Sequence, residues 1–81
     1  MEREDWWEDY IEVDPAIMVG KPVVKGSRIT VEHILMVMSA GWTTEDVLAN
    51  HPTVTKNGIH AALAFAQSLV RERQSTGISV G

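Results

Sequence analysis

Ile29-Thr30-Val31-Glu32-His33-Ile34, Trp42-Thr43-Thr44-Glu45-Asp46-Val47 and Val54-Thr55-Lys56-Asn57-Gly58-Ile59 repeat one pattern: an apolar residue, a threonine, three residues, a second apolar residue. A threonine in each of these places suits a helix N-cap. Its hydroxyl accepts from an amide of the first turn that has no intrahelical partner. The flanking apolar pair holds the N′ and N4 positions of a hydrophobic staple. The three threonines stand 13 and 12 residues apart, so the pattern predicts three helices with short connections.

The first helix is expected over Val31 to Ala40, with Ile34, Leu35 and Met38 inward and Gly41 as its stop. The second is short, Thr44 to Asn50, with Glu45 and Asp46 in the first turn, where the helix dipole favours acids. His51-Pro52 ends it, since a residue before proline is biased out of the helical region. The third, Lys56 to Arg73, carries Ile59, Ala62, Leu63, Ala66, Leu69 and Val70 at i, i+3, i+4, i+7 spacing, the mark of one buried stripe. Gly58 lies in its first turn and is expected to loosen it, at a cost of about 1 kcal/mol relative to alanine.

Upstream, Ile11-Glu12-Val13 alternates with period two, Asp14-Pro15 and Gly20-Lys21-Pro22 read as turns, and Val23-Val24 reads as a second short strand. The fold expected is mainly α: a three-helix helix-turn-helix with a short N-terminal β-hairpin or β-arm. Three sections follow: an acidic flexible arm over residues 1–10, one domain over 11–74, and a mobile tail over 75–81.

A chain of 81 residues makes one small core, and with no cysteine it has neither a disulfide nor a thiolate for structural zinc. Stability must then come from capped helices or from self-association, so a homodimer is expected. No apolar run is long enough to cross a bilayer, and the acidic, aromatic N-terminus is unlike a signal or transit peptide, which points to a cytoplasmic protein. The net charge of −4 argues at first against nucleic acid. All of that excess sits in the arm, however, where Glu2, Glu4, Asp5, Glu8 and Asp9 face Arg3 alone. Residues 15–31 hold Lys21, Lys25 and Arg28 and no acid.

A short helix, a tight turn and a longer helix is the layout of a helix-turn-helix, whose last helix presents its first residues to the major groove. Here those residues are Thr55, Lys56, Asn57 and His60. Lysine and threonine suit phosphate, asparagine and histidine suit base edges, and Lys21, Lys25 and Arg28 on a β-arm can grip the backbone. The plainer reading stands beside this one: three-helix bundles are common, and their exposed lysines and histidines often serve only solubility.

Other chemistry finds no footing. His33, His51 and His60 fall on different segments with no i, i+4 pair, so structural or surface roles are expected and no metal. Ser27 with a histidine and Asp14 lacks any nucleophile motif, and no glycine-rich loop matches a phosphate cradle. The chain reads as a non-enzyme without a cofactor.

The stretch from Asp14-Pro15-Ala16-Ile17-Met18-Val19-Gly20-Lys21-Pro22 through Val23-Val24-Lys25-Gly26-Ser27-Arg28-Ile29 resembles the signature of domain-of-unknown-function family 433. So do Ala40-Gly41-Trp42-Thr43-Thr44-Glu45-Asp46-Val47-Leu48, the His51-Pro52 turn, and Ile59-His60-Ala61-Ala62-Leu63. The resemblance runs from about Ile11 to Glu72 and implies a homeodomain-like or winged-helix-like fold. It further implies similarity to antitoxins of type II toxin–antitoxin pairs, which bind their own promoter and cover a partner that is often a PIN-like ribonuclease. This chain departs from the family pattern at Asn57-Gly58, where acidic residues are usual, and in its acidic arm. Two functions follow as expectations: an antitoxin-like DNA-binding regulator, or a protein-interaction module that neutralises such a ribonuclease without significant DNA binding. In either, the carboxylates of the arm can mimic nucleic acid in a basic cleft, with Trp6, Trp7 and Tyr10 as anchors. The plainer alternative is a solubilising tail, or tryptophans that pack on the hairpin.

Overall fold

The computed structural model describes residues 5–75. It is mainly helical. A 3-10 turn (Trp6–Asp9) leads into β1 (Ile11–Glu12), a second 3-10 turn (Met18–Gly20) and β2 (Val23–Val24), followed by α1 (Val31–Ser39), α2 (Thr44–Asn50) and α3 (Lys56–Ser75). The three-helix arrangement and the N-terminal hairpin agree with the reading of the sequence. No helix among the described residues is long and apolar enough to cross a membrane.

All three threonines cap their helices. The Thr30 hydroxyl accepts from the His33 amide at 2.9 Å. Thr43 accepts from the Asp46 amide at 3.1 Å while the Asp46 carboxylate accepts from the Thr43 amide at 2.8 Å, which closes a capping box. Thr55 accepts from the Gly58 amide at 3.1 Å. Each cap contributes about 1 kcal/mol. α1 stops as expected at Gly41, whose φ of 110° suits only glycine. The Gly41 amide donates to the Met38 carbonyl at 3.1 Å and the Trp42 amide to the Val37 carbonyl at 3.0 Å, the bonding of a Schellman motif.

The hairpin pairs Ile11 with Val24 and Glu12 with Val23, antiparallel. Asp14 folds the chain between the strands by accepting the Ala16 amide at 2.9 Å. Beyond it Met18 and Val19 both take left-handed backbone, at φ 50° and 57°. For a β-branched residue this is strained, by about 1–2 kcal/mol, and Val19 is 93% exposed, so burial of its own side chain does not offset that cost. The hairpin is tied to α1 through the Val31 amide, which donates to the Pro22 carbonyl at 2.9 Å.

The core lies where α1, α2, α3 and the hairpin meet, around the fully buried Val23, Ile34, Val47, Val54 and Ile59. Gly58 has a different role there from the one expected. A Cβ on it would stand 2.7 Å from Cγ1 of Val24. The missing side chain lets α3 lie directly on β2, so the glycine seats the helix rather than loosening it.

The expected stripe on α3 is buried only in its first half. Ile59 and Ala62 are inside, joined by Ala61, whereas Leu63, Leu69 and Val70 are 40%, 49% and 57% exposed. The cause is length. At 1.5 Å per residue α3 is about 30 Å long and α1 about 14 Å, so α3 outruns the body it packs on.

Residues 5–10 also differ from expectation. Expected as part of a flexible arm, they form a turn with Trp6, Trp7 and Tyr10 half-buried against the core. The Trp7 ring meets Phe65 of α3 edge-on at 4.9 Å, and Trp6 meets Tyr10 at 5.7 Å. The Trp7 ring thus packs on α3, while the turn as a whole also lies against β1. Residues 1–4 of the arm and 76–81 of the tail lie outside the described residues, and Ser75, the first residue assigned to the tail, belongs to α3.

Candidate nucleic-acid interface

The connection between α2 and α3 is tight. His51 donates its amide to the Val47 carbonyl at 2.7 Å, and Val54 donates back to the His51 carbonyl at 3.0 Å. Thr55, the next residue, sits at φ 65°. A β-branched residue held left-handed at a cap is a strained element, and such strain persists only where the surroundings impose it. Its hydroxyl is already engaged by the Gly58 amide. Immediately after it, Lys56, Asn57 and His60 project from the first turns of α3 and are exposed.

The basic residues of the hairpin segment reach this region unequally. Arg28 is exposed and lines an open cleft of about 470 Å³ together with Glu12, Ser27 and Thr53, so its side chain lies beside the α2–α3 connection. Lys21 points elsewhere: its Nζ lies 3.3 Å from a carboxylate oxygen of Glu32 on α1. Both side chains are more than half exposed, so the pair contributes little stability, but it offsets the lysine's charge. Lys25 is exposed, and its backbone amide donates to the Tyr10 carbonyl at 2.8 Å.

Asn57 has the most consequential surroundings. It shares an open cleft of about 390 Å³ with Trp6, Asp9 and Tyr10. The acidic turn, with Asp5, Glu8 and Asp9 all exposed, is therefore folded beside the start of α3. Of the seven residues expected at a DNA surface, Arg28 stands at the connection, Lys21 beside an acid on α1, and Asn57 beside the acidic turn. Trp6 and Tyr10, expected as partner anchors, wall that same cleft, and Trp7 is turned inward onto Phe65.

Two features escaped sequence reasoning. Thr53 lines the same cleft as Arg28, a proximity set by how the hairpin lies across the turn. His33 and His51, 18 residues apart, come together with their Nε2 atoms 3.2 Å from each other. Ser27 is a brace in its turn: its hydroxyl donates to the Val24 carbonyl at 2.8 Å and accepts from the Ile29 amide at 3.1 Å. Among the described residues no group of three or more potential metal-ligating side chains is gathered.

The chain belongs to the family described as Protein of unknown function (DUF433), whose sequence profile matches residues 11–66. No curated protein and no solved structure matches the chain.

Proposed function

Taking that family as the premise, we propose that the protein is an antitoxin-like, DNA-binding transcriptional regulator rather than an enzyme. The observation that carries the reading is the α2–α3 connection: two capped helices, a tight turn, and exposed Lys56, Asn57 and His60 just beyond it, with Arg28 alongside. In this reading the first turns of α3 enter a major groove. Asn57 and His60 face base edges there. Lys56 and Arg28 hold phosphates, helped by Lys25 and, where it leaves Glu32, by Lys21; Thr55 sets the angle of entry. The acidic turn next to Asn57 opposes phosphate, so charge at residues 5–9 tunes affinity downward.

Duplex-binding titrations of single variants test this. Arg28→Ala and Lys56→Ala are each expected to weaken binding evenly across sequences and to lower the salt slope by about 1. Asn57→Ala is expected to relax discrimination between sequences, at about 1–3 kcal/mol for the base it reads. Binding that none of the three alters would remove α3 from the interface.

A second reading has its own support. Leu63, Leu69 and Val70 leave an exposed apolar face along α3, and such a face suits a protein partner, either a second copy or a PIN-like ribonuclease toxin that the protein neutralises. The acidic turn can then serve the toxin's basic cleft. Because Trp7 packs on Phe65, deleting residues 1–10 would open the core. Glu8→Gln is the cleaner comparison, since Glu8 is exposed and the change removes its charge while keeping its size.

A further inference from the structure

The two histidines that meet across the fold belong to neither reading. His33 lies in the first turn of α1, where Thr30 caps its amide at 2.9 Å. His51 ends α2, is fixed by the hydrogen bond its amide donates to the Val47 carbonyl, and stacks on Trp42 with ring centroids 6.4 Å apart. Both rings are half-buried, cross at 78°, and line one open cleft of about 250 Å³ with Met18 and Arg28. Their Nε2 atoms are 3.2 Å apart. Without another ligand one ring donates to the other, which leaves both nitrogens committed to a single long contact.

The same spacing suits a shared ion. Two imidazole nitrogens each about 2.0–2.1 Å from zinc, and 3.2 Å from each other, subtend about 100° at the metal, close to tetrahedral. We propose that His33 and His51 form a two-imidazole clamp for a divalent transition-metal ion of the zinc class, joining α1 to the α2–α3 connection. Arg28 in the cleft wall and Lys21 and Glu32 beside His33 decide the class of ion. The shared cleft holds Arg28 and no carboxylate, and Glu32, the acid beside His33, is paired with Lys21, so the site disfavours calcium or magnesium, which need oxygen ligands. Imidazole lone pairs bind zinc, nickel or copper in spite of that charge. With two ligands from the protein, the remaining positions open toward the cleft, where Arg28 favours an anionic co-ligand. An ion held there ties together two segments that are far apart in sequence and stabilises the folded form by mass action.

The test uses the untagged full chain and Zn²⁺, titrated by competition with a chromophoric chelator, with thermal unfolding followed in parallel. Expected are saturation at one ion per chain and a rise in melting temperature, both lost in His33→Gln and in His51→Gln and both kept in His60→Gln. Ring resonances of the unsubstituted protein give a reading that does not depend on how the variants fold: those of His33 and His51 should shift together and that of His60 should not. Absence of uptake, uptake that survives either substitution, or a shift confined to one ring would overturn the clamp.

Discussion

At the scale of single residues, Gly58 carries the clearest consequence. Helix propensity alone says that alanine there should add about 1 kcal/mol. The 2.7 Å approach of a Cβ to Val24 says the opposite, because Val24 is buried at 2% exposure between α3 and the rest of the core and has little room to yield. Overpacking of this kind costs about 1–3 kcal/mol. Gly58→Ala is therefore expected to lower the urea midpoint; a higher midpoint would mean that the helix and strand separate freely. The three N-caps were legible from sequence because a cap is a bond within four residues. The role of Gly58 was not, since the atom that makes glycine necessary belongs to a strand 34 residues earlier. The same holds for His33 and His51, whose meeting depends on how α1 crosses the end of α2.

At the scale of elements, the distal half of α3 sets the next expectation. The sequence shows an amphipathic period but not how far the body extends beneath it. Burial along α3 falls away after Ala62, apart from the patch where Trp7 covers Phe65. Leu69 and Val70 contribute little to the folded monomer, so Leu69→Glu with Val70→Glu should change its stability by no more than about 0.5 kcal/mol each. If a second copy covers this face, sedimentation should find the unsubstituted protein dimeric and the double variant monomeric with unchanged helicity. A dimer that survives both substitutions would place the contact on another surface. The acidic turn shows the same limit of local reading. Its charge was plain in the sequence, but the pairing of Trp7 with Phe65, which fixes it beside α3, spans most of the chain.

At the scale of the whole molecule, charge distribution governs the functional account. The fold places Arg28 at the α2–α3 connection and an acidic turn beside the start of α3, so attraction and repulsion of a polyanion are arranged around one helix end. A chain with net charge −4 gains nothing from long-range attraction to DNA. Any affinity must come from local contacts, which makes selectivity and salt dependence the informative quantities. The most direct measurement is a titration of the purified protein against its own upstream DNA, with random duplex as control, at two salt concentrations. Tighter binding to the upstream DNA is expected, with affinity for both duplexes falling as salt rises. Equal affinity for the two duplexes, or none for either, would contradict the regulator and leave the apolar face of α3 and a protein partner as the function.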